Sequence, residues 1–303
     1  MRTFAAFLGL LALGLAGIAV FAYPAWDLLT PQFDLRFHRL ASRIAMLTVL
    51  VGFILIARRL SLADRRRLGY GLPARAFFQE AGLGLALGVV MLLPILAVMI
   101  ALDMRNLKPG VVLDAATLGS LALKGITSGI AVALIEETFM RGAMQTGITR
   151  ESGYRLAIGL TASLYSATHF LGKYRIPADQ VNAGSGVEMV QNVLHAFTDP
   201  LGIADAFVCL AAVGVLLGMV RHLTGNIAAC IGLHAGWVWV ITFIRESSTR
   251  DETSPFAFLL SRFDGFVGWL VLAWTLVMGA ALYRFYARRA AAGIGVTTPR
   301  PDA

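Results

Sequence analysis

Apolar and polar positions along this chain fall into long blocks rather than into the short alternation of a soluble fold. Uninterrupted apolar runs extend from Phe4 to Ala22, from Ile44 to Ala57, with an amino-terminal extension over Ala41 to Arg43, and from Ala81 to Leu102. A fourth helix is expected from Ala115 to about Arg150, longer than a bilayer is thick, with its turn at Ser152-Gly153. Further runs follow from Leu156 to Leu171, Ile203 to Val220, Ile227 to Ile244 and Phe266 to Leu282. Each is read as a membrane-spanning helix, about eight in all, within one either way. Between the fifth and sixth lies the longest non-spanning stretch, Gly172 to Leu201, with an interfacial helix expected over Val187 to Phe197.

Composition agrees with this pattern. Of 303 residues 57% are hydrophobic and 15% charged, and the mean hydropathy is +0.72, values that exclude an ordinary soluble domain. The fold class expected is all-α, a polytopic membrane protein with an intramembrane polar cavity. The net charge of +8 does not point to nucleic acid, because most of the basic residues sit in short segments between apolar runs, where they set topology. With both termini inside, 15 of the 26 Lys and Arg residues lie on the inner face, six of them in the connector Arg58 to Arg75. The expected location is the cell membrane, multi-pass, with both termini cytoplasmic. The length of the first run favours an uncleaved span over a signal peptide. Cys209 and Cys230 lie inside apolar runs and read as packed thiols. Gly84 and Gly88, four apart on the third span, read as a helix-packing face.

The expected organisation is three amino-terminal spans over 1–114, a core of four spans over 115–244, a carboxyl-terminal span over 245–289 and a disordered tail over 290–303.

One stretch breaks the apolar pattern where a bilayer tolerates it least. Glu136, Glu137 and Arg141 close a run, Leu118 to Ile135, whose only charge is Lys124, and intramembrane charges of this kind mark function. On a helix Glu137 and Arg141 are four apart and share a face, whereas Glu136 points about 100° away. Glu137 with Arg141 is therefore expected as a structural ion pair and Glu136 as the reactive carboxylate. Lys124 reads as structural, with a glutamate partner as the alternative. Glu136 lies 16 residues before Ser152 and His169 lies 17 after it, so each is roughly 24–26 Å from the turn. His234 is nine residues past Gly225, roughly 13 Å along its own helix. A carboxylate and two imidazoles thus reach one depth.

The set Glu136-Glu137-x-x-x-Arg141, then Tyr165-x-x-x-His169, then Gly-Leu-His234-Ala resembles the CPBP family, the CAAX proteases and bacteriocin-processing enzymes also called Abi, which include the Ras-converting CAAX endopeptidase. The resemblance covers about Ala115 to Ile244. It implies an intramembrane endopeptidase in which Glu136 activates a water, His169 helps to hold it and His234 faces the oxyanion, with Glu137, Arg141, Tyr165 and Trp237 in support. It also implies a peptide or membrane-protein substrate within the lipid bilayer and no nucleic acid.

The sequence departs from the family at Val238, where an asparagine is usual and would help to hold the oxyanion; Trp237 or Asn226 is the expected substitute donor. No cofactor is required by the reading. Zinc held by Glu136, His169 and His234 remains the metal alternative, since family members are described both as metalloproteases and as glutamate-dependent enzymes. A non-catalytic protein of the same fold, serving in bacteriocin immunity or as a scaffold, would accommodate Val238, and a transporter is the third reading.

Overall fold

The computed structural model describes residues 1–33, 35–60, 62–171 and 174–297. Ten α-helices account for most of it: α1 (Arg2–Leu29), α2 (Phe37–Ala57), α3 (Ala74–Ala101), α4 (Ala115–Glu137), α5 (Gln145–Ser152), α6 (Tyr154–Thr168), α7 (Ser185–His195), α8 (Ala204–Thr224), α9 (Ala228–Ser247) and α10 (Trp269–Ala291). A π-helical segment, Thr138–Met144, joins α4 to α5, so that Ala115 to Ser152 is one continuous rod.

Seven helices are long and apolar enough to cross a membrane, and the protein is an all-α polytopic membrane protein. The expected span that falls short is the fifth, Leu156 to Leu171, which forms α6; its 15 helical residues stop at Thr168, short of the roughly 20 that a bilayer needs. Its helix ends because the chain turns through His169 to Leu171, with the His169 N–H on the Ser166 carbonyl. The interfacial helix expected after it is α7, which packs on α1.

Helix α9 is the axis of the bundle, with α3 on one side and α4 on the other. Glycines make this contact. A Cβ on Gly88 would stand 2.5 Å from the Leu233 carbonyl oxygen, one on Gly232 would stand 2.0 Å from that of Ala81, and one on Gly129 would stand 2.6 Å from that of Ala235. Backbones this close leave no room for side chains, which is how small residues four apart join membrane helices. The expected Gly84/Gly88 face is therefore seated on Gly232 and Gly236, the two residues that flank His234 at a distance of two. Gly88→Leu is expected to cost at least about 1–3 kcal/mol by overpacking and to lower the thermal midpoint in detergent; an unchanged midpoint would contradict the packing.

The ends of the helices define two faces. On one, Arg221 donates to the Arg67 carbonyl and Thr297 donates to the carbonyls of Thr224 and Gly225. This face gathers the Arg-rich connector, the α8–α9 turn and the end of α10. On the other face the loops around 105 and 250 pair as two short antiparallel strands, β1 (Arg105–Leu107) with β2 (Ser248–Arg250). Next to them α4 starts at Asp114, which accepts the Thr117 N–H at 2.8 Å. That bond holds its carboxyl below the usual range.

The tail departs from expectation. Residues 290–297 are placed, because α10 runs on to Ala291, Gly295 accepts from Asn226 Nδ2 at 2.8 Å, and Thr297 is bonded as above. The rest of the expected disordered tail lies outside the described residues.

Candidate active site

Glu137 and Arg141 are fully buried, and Arg141 Nη1 donates to Glu137 Oε1 at 3.0 Å. The expected ion pair is present, yet it is not what chiefly engages Glu137. His234 Nδ1 donates to the same Oε1 at the shorter distance of 2.7 Å. Glu137 therefore joins the motif helix to α9 and fixes the ring of His234, a role the spacing argument did not assign to it. Since Nδ1 faces the carboxylate, Nε2 is the nitrogen left to do chemistry. It points to Glu136 Oε2, 4.0 Å away, too far for a hydrogen bond and near enough for both atoms to face one molecule. Glu136 differs from its neighbour in exposure, with about a third of its side chain accessible against none for Glu137.

His169 sits one residue past the end of α6. Its Nδ1 lies 2.8 Å from the Tyr165 carbonyl oxygen, which can only accept, so Nδ1 carries the proton and Nε2 offers its lone pair. The ring is close enough to Glu136 and His234 to interact electrostatically with both. Tyr165 stands between the parts: its ring meets His169 edge-on at 4.5 Å and His234 at 6.1 Å, and the Arg141 guanidinium lies over it at 4.5 Å. The structure thus brings Glu136, Glu137, Arg141, Tyr165, His169 and His234 to one place.

The π-helical segment begins at the residue after Glu137. Such segments are rare and recur at functional sites. Here the wider turn offers the Arg141 carbonyl to Arg221 Nε at 3.4 Å, while Arg221 Nη2 reaches the Arg67 carbonyl and Thr146 Oγ1, each at 3.2 Å. Gln145 Nε2 donates to the Gly218 carbonyl at 2.9 Å. Arg221, on α8, and Gln145, on α5, thus tie the site to α8. Nothing in the sequence around them marked either. Within the site Glu137 Oε2, Arg141 Nε and Gln145 Oε1 are buried without hydrogen-bond partners among the described residues, and buried groups of this kind are what water satisfies.

The structure also bears on three further residues. Asn226 is no substitute donor, since its amide nitrogen is spent on the carbonyls of Thr224 and Gly295 and its oxygen accepts the Ala228 N–H. Trp237 is buried in the main apolar core one turn from His234, and among the described residues its indole N–H makes no hydrogen bond. Lys124 pairs with Glu246 at 2.8 Å, not with either motif glutamate.

The triad Glu136, His169 and His234 does not fit a zinc ion. Among the described residues no three His, Cys, Asp or Glu side chains gather as a metal site. With donors roughly 2.0–2.2 Å from a zinc, the 4.0 Å between Glu136 Oε2 and His234 Nε2 would open their angle far beyond tetrahedral.

Comparison with known proteins places this geometry. No curated protein and no solved structure matches the chain. Residues 118–240 match the family model described as Type II CAAX prenyl endopeptidase Rce1-like, and that span holds each of the site residues named above. The segment that builds the site is thus similar to the Rce1-like CAAX prenyl endopeptidases.

Proposed function

We propose that the protein is an intramembrane endopeptidase that hydrolyses a peptide bond with a water activated by Glu136. The observation that carries this reading is the pairing of a partly exposed carboxylate, Glu136, with a histidine nitrogen 4.0 Å away whose ring is fixed from behind by a fully buried one, Glu137. A water about 2.8 Å from both Glu136 Oε2 and His234 Nε2 would subtend an angle of about 90°, suited to hydrogen bonds with each. His169 Nε2, with its lone pair free, would accept the water's other hydrogen.

In the proposed reaction Glu136 takes a proton from the water as the oxygen attacks the carbonyl carbon. The oxyanion forms against His234, which donates from Nε2 as an imidazolium stabilised by the Glu137 carboxylate behind it. Protonated Glu136 then gives its proton to the departing amine as the carbon–nitrogen bond breaks, leaving a carboxylic acid and an amine. Glu137 and Arg141 serve as positioning residues. No step passes through a metal. The substrate is a peptide or membrane-protein segment that enters from the bilayer, and both termini are assigned to the cytoplasm from the charge asymmetry.

The second donor to the oxyanion is assigned to Trp237, which stands beside Val238 with its N–H unpaired. Trp237→Phe is expected to lower kcat by about 10²-fold, the usual loss for one such donor, with KM unchanged. Adding Val238→Asn to that variant should recover much of the rate. A Trp237→Phe enzyme as fast as wild type would remove Trp237 from the mechanism.

The reading as a whole is tested with purified protein in liposomes and a library of peptides, prenylated and unprenylated, with products identified by mass spectrometry. Cleavage that persists in excess chelator is the expected result. No cleavage of any peptide would favour the non-catalytic reading that Val238 invites, and loss on chelation with recovery on added zinc would overturn the metal-free route.

A further inference from the structure

Away from the site, the last turns of α10 and the turn that follows border an open surface cavity of about 580 Å³, lined by Ala281, Arg284, Phe285, Arg288, Arg289, Ala292 and Ile294. Three of its seven lining residues are arginines and none is acidic. Arg289 is turned aside by an ion pair with Glu80, and its guanidinium lies 5.5 Å over the Phe285 ring. Arg284 and Arg288, one turn apart and exposed, have no acidic partner among the described residues. Two like charges on one helix face repel each other, so an anion between them would stabilise the arrangement.

Depth decides which anion. Arg284 and Arg288 follow Trp269, where α10 begins, by 15 and 19 residues, which at 1.5 Å per residue places them roughly 22 and 28 Å along the helix. The hydrocarbon core is about 30 Å thick, so the cavity opens where lipid headgroups lie. Its volume falls in the range of roughly 300–1,000 Å³ that suits an organic ligand and is far more than a bare phosphate fills. Ala281, Phe285 and Ile294 supply apolar surface beside the guanidinium groups, whose planar forks match phosphate oxygens.

We infer that this cavity binds the phosphate headgroup of one anionic membrane phospholipid, held by Arg284 and Arg288, with its glycerol and upper acyl carbons against Phe285 and Ile294. The site is independent of the peptidase reading, since none of its residues belongs to the Glu136 cluster.

The test is native mass spectrometry of the full chain in detergent, titrated with phosphatidylglycerol or phosphatidylcholine. Preferential retention of one phosphatidylglycerol is expected. In Arg284→Gln/Arg288→Gln its affinity should fall by at least about tenfold, while Arg58→Gln/Arg59→Gln, which removes the same charge outside the cavity, should bind as wild type does. Thermal midpoints of both variants establish that they are folded. Equal retention of the two lipids, or equal loss in both double variants, would overturn the site. Displacement of the lipid by millimolar inorganic phosphate would also overturn it, in favour of a free-anion site.

Discussion

Glu137→Ala will destabilise the protein by about 3–5 kcal/mol and abolish peptide cleavage. The size of the stability loss follows from what the substitution leaves behind. Arg141 is fully buried, and removing its carboxylate strands a guanidinium in an apolar interior, which is far worse than deleting the pair. Glu137→Ala/Arg141→Met should therefore recover most of the thermal midpoint, because a methionine fills much of the same space without a charge. It should not recover activity, because His234 would still lack the 2.7 Å bond that orients its ring. Thermal unfolding in detergent and peptide cleavage on the same preparations separate the two effects. An active double variant would show that Glu137 serves stability alone.

The dual role of Glu137 also shows how far the sequence reached. The Glu137–Arg141 pair was legible, since four residues along a helix put two side chains on one face, and it forms although the segment between them is wound as a π-helix. The hold of Glu137 on His234 was not legible. It depends on how α9 is rotated about its axis, which is set by backbone contacts such as that of Gly88 with Leu233, and half of that packing face was visible in Gly84 and Gly88 while its partner was not. The blocks of apolar residues placed the helices well but overcounted the spans long enough to cross, because a run from Leu156 to Leu171 carries no mark that the chain must turn at His169. Asn226 looked available one residue after a glycine turn. It is consumed by the tail, and a tail of small residues with no apolar pattern gives no sign that it will dock.

The central claim is that Glu136 is the base, and Glu136→Gln isolates it. Glutamine keeps the shape of the side chain and loses only its ability to take a proton. Because Glu136 is partly exposed and, among the described residues, makes no hydrogen bond or close ion pair beyond the 4.0 Å approach to His234, the thermal midpoint should stay where it is. Removal of a general base typically lowers the rate by about 10²–10⁴-fold. The deciding measurement is kcat for a cleaved peptide by wild type and Glu136→Gln, reconstituted side by side in the same liposomes. The account predicts a fall of at least about 10²-fold at an unchanged midpoint. A Glu136→Gln enzyme within about twofold of the wild-type rate, too small a loss for a general base, would contradict it.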